Sequence, residues 1–256
     1  MSEDRFDVSG KRVLVTGASS GLGENFASTL ALAGARVAVA ARRQNRLQTL
    51  QAKLAEQGKL ITVVNMDVTD ADSVAEAVTS VETELGGVDV LVNNSGVANT
   101  VRAEDMTEED FDWIVDTNLK GAWRVAQRVG RGMIERKLAG SIINIESILS
   151  FRASSGLLAY AASKAGLLQI TNTLALEWAR YNIRVNGIAP GYIETEINRE
   201  FFQSDAGQRV IRKIPQRRIG KPADLDGVLL LLASDASNFM TGSTVVVDGG
   251  HMMNGL

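Results

Sequence analysis

Short runs of β-branched and aliphatic residues alternate along this chain with longer stretches whose apolar positions recur every three to four residues. The predicted strands are Arg12–Thr16, Arg36–Ala40, Ile61–Asn65, Val88–Val92, Gly140–Ile145, Ile183–Ala189 and Ser243–Val247. Helical periodicity covers about Leu22–Ala33, Arg43–Gln57, Ala71–Leu85, Glu108–Lys137, Leu157–Tyr181 and Pro222–Ala233. Runs such as Val-Ala-Val-Ala and Asp-Val-Leu-Val are apolar without alternation, which suits strands covered on both faces. Strand and helix in turn imply right-handed crossovers and a parallel sheet. The expected fold is α/β: a doubly wound parallel sheet of about seven strands, with helices on both faces, in one domain over residues 1–256. No linker or repeat interrupts it. The segment at about 195–218 is more polar and irregular, and is expected to be a lid inserted into that domain.

Composition narrows the function. Apolar residues make up 45% of 256, ample for a large core. Net charge is −3 and the basic residues are dispersed, so no nucleic-acid partner is expected. The absence of cysteine excludes disulfides, thiolate catalysis and cysteine metal sites. The single histidine, His251, reads as a solvated residue near the C-terminus and cannot by itself build a Ser-His-Asp triad. No metal site is expected. The longest apolar run, Val228 to Ala233, is far too short to cross a membrane. The first residues are polar and acidic, unlike a signal peptide, so the cytoplasm is the expected location.

The chemistry gathers around Tyr160-Ala-Ala-Ser-Lys164, with Ser147 thirteen residues upstream and Asn118 further back. Tyr and Lys at i and i+4 share one helix face. A phenol titrates near pH 10, and a fixed ammonium about 6 Å away is worth about 2.8 kcal/mol, or about two pKa units, to its phenolate. Near the N-terminus, Gly17-x-x-x-Gly21-x-Gly23 directly follows an apolar strand, as a Rossmann-like phosphate turn does. Gly17 allows the tight turn, Gly21 and Gly23 let backbone approach phosphates, and the helix from about Leu22 points its positive end at them.

Thr16-Gly-Ala-Ser-Ser-Gly-Leu-Gly23, Asp67-Val68, Asn93-Asn-Ser-Gly96, Asn118, Ser147, Tyr160 with Lys164, and Pro190-Gly-Tyr-Ile-Glu-Thr195 occur in this order. Together they resemble the short-chain dehydrogenase/reductase family, in its branch of about 250 residues, over nearly the whole chain. The overall pattern is similar to 3-oxoacyl thioester reductases and related carbonyl reductases. Two departures stand out. Ser95 replaces the usual Ala, and Glu146 precedes Ser147 where a small or hydroxyl side chain is common, which sets a carboxylate near the expected active site.

The resemblance implies a function and a site. The function is hydride transfer between a nicotinamide and a carbonyl or secondary alcohol, with a ketone or 3-oxoacyl-type substrate favoured. Tyr160 exchanges the proton, Ser147 positions the substrate oxygen, and Lys164 lowers the Tyr160 pKa and grips the nicotinamide ribose. Asn118 bends its helix and holds a water linking Lys164 to solvent. Ser19, Ser20 and Leu22 belong to the phosphate loop, and Asp67 and Val68 to the adenine edge. Asn94, Ser95 and Gly96 lie by the adenosine ribose, although a plain strand-end turn explains them equally well. Pro190, Gly191, Ile193 and Thr195 hold the nicotinamide carboxamide. Ser147, Leu149, Tyr160 and Tyr192 are the candidate substrate contacts. Leu149, Phe151, Tyr192, Phe201 and Phe202 could line an apolar pocket or serve as core.

The expected cofactor is NADP(H), with NAD(H) less favoured. No Asp or Glu occurs between Asn25 and Ala55, and Ala41 stands where NAD-users of the family carry Asp. Arg42 and Arg43 follow, and a guanidinium there suits a 2′-phosphate, while Ser20 stands where many NADP-users carry a basic residue. Alternatives are an NAD-linked alcohol, polyol or sugar dehydrogenase of the same family, and a catalytically silent nucleotide-sensing scaffold. Trp113, Trp123 and Trp178 lie on long helices with apolar residues beyond one core stripe. With the last strand and the tail Gly249–Leu256, they and the resemblance imply a homotetramer.

Overall fold

The apolar runs pair as β1 (Arg12–Thr16), β2 (Arg36–Ala41), β3 (Ile61–Asn65), β4 (Val90–Asn93), β5 (Gly140–Ile145), β6 (Ile183–Pro190) and β7 (Thr244–Val247). The computed structural model describes residues 5–196 and 198–253. Among them the sheet is seven-stranded and wholly parallel, in the order β3-β2-β1-β4-β5-β6-β7. The chain winds outward from β1 to β3, then crosses back to β4 and winds the other way. The helices are α1 (Gly21–Leu32), α2 (Gln44–Ala55), α3 (Ala71–Leu85), α4 (Glu108–Val115), α5 (Ala122–Glu135), α6 (Leu158–Trp178), α7 (Arg199–Gln203), α8 (Asp205–Lys213) and α9 (Asp226–Ala233).

Successive strand residues point to opposite faces, so each strand feeds two cores. Val13, Val15, Val37 and Val39 pack with Phe26, Leu30, Leu47 and Leu229 from α1, α2 and α9. Leu14, Ala38, Leu91 and Ile142 pack with Val78, Val125 and Leu174 from α3, α5 and α6. Two buried faces leave no place for polar alternation, which is why these runs read as continuously apolar. None of the helices among the described residues is long and apolar enough to cross a membrane.

Three elements differ from the expectations. The stretch Glu108–Lys137 is not one helix: a π-helical turn, Asp116–Gly121, separates α4 from α5. There the Asn118 side chain turns inward to bond the backbone of Val97, and Gly121 passes so close to Val68 that a Cβ would lie 2.8 Å from Cγ2 of that valine. Asn118 thus sits within this π-helical turn. The segment at 195–218 holds the short helices α7 and α8. Ser204 caps α8 by accepting from the Gly207 N–H, and α8 is a short, polar helix of nine residues. Finally, Trp178 packs inward against Gly130 of α5, where a Cβ would lie 2.5 Å from its ring. Trp113 and Trp123 remain 44% and 39% exposed.

Candidate active site

Because all strands run one way, their C-terminal ends share one edge of the sheet. The loops after β1 to β6 carry the glycine turn, Arg42 and Arg43, Asp67, Asn94–Gly96, Ser147 and Gly191–Thr195. Strand order reverses between β1 and β4, and a crevice at such a switch point is where doubly wound sheets bind ligands. Topology thus brings together groups far apart in sequence.

The glycine turn is stitched to the loop after β4. The Thr16 hydroxyl accepts from the Asn94 and Ser95 N–H groups at 3.0 and 3.1 Å. The Asn94 amide donates to the Thr16 and Gly17 carbonyls at 3.0 and 3.3 Å. Gly17 has φ +64°, and a Cβ on it would lie 2.9 Å from Ser95 Cα, so a side chain is excluded by both strain and space. A Cβ on Gly23 would run into the Gly17 carbonyl, which is how α1 comes to sit against the turn. Thr16 lies inside the motif, and sequence reasoning gave its hydroxyl no role.

The two arginines after β2 diverge. Arg43 donates to Ser19 Oγ from Nε and Nη2, at 3.2 and 2.9 Å, and to Ser20 Oγ at 2.8 Å. Arg42 lies 3.7 Å from the Asp67 carboxylate. Burial works against the charge on Asp67, yet the N–H and hydroxyl of Thr69 and the Arg42 guanidinium outweigh it and hold the carboxyl below its ordinary value.

On α6, Lys164 is buried and its Nζ donates to the Ile145 carbonyl at 2.7 Å while lying 5.7 Å from the Tyr160 ring centre. Ser147 accepts from the Leu149 N–H at 3.1 Å and hydrogen-bonds the Tyr160 hydroxyl. Asn118, fully buried, accepts from the Val97 N–H at 2.7 Å and donates to the Val97 carbonyl at 2.8 Å and to Ser163 at 3.2 Å. Ser163 in turn donates to the Tyr160 carbonyl at 2.8 Å. Ser163 and Val97 were not anticipated; Ser163 stands in plain view within the Tyr-to-Lys stretch. All four expected catalytic residues therefore meet at one place.

Burial dominates the electrostatics of the site. In the protein alone, burial pushes the Tyr160 phenol above its ordinary value, with the Ser147 hydrogen bond acting against it. Burial also pushes Lys164 down to about 8, opposed by the charge of Glu146. Desolvation penalises the charged forms of both groups, and for the phenol it outweighs the opposing hydrogen bond.

Beyond β6, Ile193 bridges to Gly220, and the Asn198 amide oxygen accepts from the Thr195 N–H at 2.8 Å. Tyr192 packs edge-on against the buried Phe202, at 5.5 Å between ring centres, and 5.4 Å from His251. His251 is only half-exposed, which corrects its reading as a solvated residue. Phe202 belongs to a packed cluster, whereas Phe151 and Phe201 are exposed and Leu149 is half-buried.

A family model described as enoyl-(acyl carrier protein) reductase matches residues 17–252. The chain belongs to the short-chain dehydrogenase/reductase family and is an oxidoreductase acting on CH–OH and C=O groups. It is 39% identical over 253 residues to a 2-dehydro-3-deoxy-D-gluconate 5-dehydrogenase of Formosa agariphila, covering 98% of this chain and 96% of that one. It is 41% identical over 243 residues to the 3-oxoacyl-(acyl-carrier-protein) reductase FabG of Thermotoga maritima, covering 94% and 97%. Among solved structures, a gluconate 5-dehydrogenase of Burkholderia cenocepacia in complex with NADP and tartrate superimposes with a TM-score of 0.93, at 36% identity and 98% coverage of both chains.

Proposed function

We propose that this protein is an NADP(H)-dependent oxidoreductase, acting chiefly as a reductase of a ketone or 3-oxoacyl-type carbonyl. One observation carries the reading: Ser147, Tyr160 and Lys164 converge beside Gly96, on the loop that Asn94 and Ser95 stitch to the glycine turn. The protonated phenol is the form that a reductase needs as its acid. The donor set fits the cofactor. Arg43, Ser19 and Ser20 form a cluster of donors suited to a 2′-phosphate, and no acid follows β2 to compete for it. Arg42, Asp67 and Val68 would face the adenosine end. Gly17, Gly21, Leu22 and Gly23 would pass under the phosphates, beside Asn94, Ser95 and Gly96, and Pro190, Gly191, Ile193 and Thr195 would hold the nicotinamide.

The bound nicotinamide would supply the hydride for reduction. The chain's own residues do the rest. The Ser147 oxygen accepts from the Leu149 N–H, which holds the hydroxyl in place, and its proton would be donated to the substrate oxygen. Tyr160 delivers a proton to that oxygen, and Lys164, 5.7 Å from the ring, offsets the charge left on the phenolate. Asn118 holds Val97 at both its N–H and its carbonyl, which fixes the loop carrying Gly96 under the lysine. Tyr192 and Leu149 would border the substrate, and the α7–α8 segment would close over it as a lid.

A second reading, dehydrogenation of a sugar acid at the same site, is favoured by the similarity to the Formosa agariphila enzyme. Consumption of NADPH and NADH against a 3-oxoacyl thioester, a diketone, a keto-steroid and a sugar lactone, with gluconate and NADP+ in the reverse direction, separates the two. NADPH-linked reduction of a ketone or thioester is expected. Turnover of gluconate alone would replace the first reading by the second, and turnover of nothing would leave a nucleotide-sensing scaffold.

The same reading includes a homotetramer. Trp113, Trp123, Leu158 and Leu176 are exposed on α4, α5 and α6, Leu176 to 82%. β7 is an edge strand whose outer side has no partner among the described residues. Exposed apolar surface and an open edge are both relieved when copies meet about two-fold axes. Of the tail, Asn254–Leu256 lie outside the described residues. Sedimentation at micromolar concentration should give a species about four times the 27.4 kDa chain, and a clean 27.4 kDa species would refute the assembly.

A further inference from the structure

Glu146 is a buried carboxylate that the reaction described above does not use. It is 2% exposed, at the end of β5, directly before Ser147. Each of its oxygens lies within hydrogen-bond distance of a hydroxyl: Oε1 of Thr171 on α6 at 2.8 Å, whose one proton is shared with the Leu167 carbonyl at 2.9 Å, and Oε2 of Thr244 on β7 at 3.0 Å. Thr171 follows Lys164 by seven residues, two turns along the same helix face. The strand beside it leaves room by carrying Gly187, where a Cβ would collide with the carboxylate. Thr171 also accepts from Asn144, which accepts from Asn93, so a polar chain runs under the site from β4 to β7. Hydroxyls able to donate to both oxygens support the ionised form against the burial that opposes it.

We propose that Glu146 is a positioning residue for Lys164, placing a fixed negative charge behind the lysine and so setting the pH range in which Tyr160 can exchange its proton. The groups around Lys164 leave this to Glu146. Tyr160 faces it from α6, Asn118 and Gly96 from the π-helical turn and the loop after β4, and the Ile145 carbonyl from β5. From β6 and β7, the groups on the carboxylate are Gly187 and Thr244, neither of which titrates. Burial drives Glu146 up, against the two threonine hydroxyls and the lysine charge, while Glu146 holds Lys164 up against its own burial. Each charge acts against the burial that disfavours the other.

The direction follows from the charges. Lys164 offsets the phenolate only while it carries a proton, so turnover falls as pH rises through the lysine's pKa of about 8. Removing the negative charge makes the ammonium less stable and moves that fall to lower pH. The inference rests on the proposed proton transfer for its kinetic arm alone. The direct arm needs no substrate: the ¹³Cε resonance of Lys164, assigned with Lys164→Arg, is titrated in the whole protein. Glu146→Gln should lower the Lys164 titration and the alkaline limb of kcat/KM together, by about one pH unit. Glu146→Asp, which keeps the charge, should bring both back toward the parent values. Thr244→Val, which removes one hydroxyl donor, should move the lysine the same way by a smaller step and serves if the Gln variant does not fold. A Lys164 titration unchanged in Glu146→Gln and Thr244→Val overturns the proposal, whatever happens to turnover. A shifted lysine in a chain that reduces no carbonyl would instead defeat the functional reading and leave this one standing.

Discussion

Tyr160→Phe is expected to lower kcat by about 100- to 10,000-fold, the range that a positioned general acid contributes. Binding of NADPH, followed by nicotinamide fluorescence, should change by less than about threefold, since one hydroxyl is lost and nothing in the glycine turn is touched. The separation is the point of the experiment. Tyr160 bonds Ser147 through that hydroxyl, but its backbone carbonyl, not its side chain, receives the Ser163 bond that ties α6 to Asn118. The phenyl ring can therefore stay where it is. A variant that keeps more than about a tenth of the parent kcat would show that the proton comes from elsewhere, and the proposed chemistry would fail with it.

The second large effect concerns cofactor choice. Replacing both Arg42 and Arg43 by Ala is expected to weaken NADPH by about 100-fold and NADH by less than about threefold, taking about 1.5 kcal/mol for each charge-assisted contact to the 2′-phosphate. The two arginines should not share the loss equally. Arg43 is already held over Ser19 and Ser20, whereas Arg42 is drawn toward Asp67, so Arg43→Ala should account for the larger part. Ala41→Asp should shift preference toward NADH by putting a carboxylate at the end of β2, where it repels a phosphate and accepts from a ribose hydroxyl. Paired titrations that leave the NADPH-to-NADH ratio unchanged in both variants would show that this loop does not read the 2′ position.

Both experiments bear on residues that the sequence made legible, and for a physical reason. A Gly-rich turn after an apolar strand, and Tyr and Lys one helical turn apart, are local patterns: their meaning survives without knowing what packs against them. The strands were equally plain, because double burial removes polar residues from them altogether. The parallel order and the crevice at β1 and β4 follow from strand–helix alternation and handedness. Asp-Thr-Asn-Leu-Lys-Gly holds four weak helix formers, but propensity alone does not distinguish a π-helical turn from a helix carried through by its packing.

What the tertiary structure alone decided is the set of relations between distant residues. The sequence places Glu146 next to Ser147, but that its carboxylate lies between Thr171 and Thr244, in reach of the charge on Lys164, depends on β6 presenting a glycine at 187 and β7 a threonine at 244. Adjacent arginines look interchangeable in the chain, yet the turn out of β2 sends Arg43 to the serines and Arg42 to Asp67. Three tryptophans on long helices look alike until Gly130 opens a seat for Trp178 and leaves Trp113 and Trp123 outside. Burial around Tyr160 is likewise a tertiary fact. A charge pair at i and i+4 is a local fact, but desolvation is set by everything packed around it, and in a buried site desolvation is the larger effect.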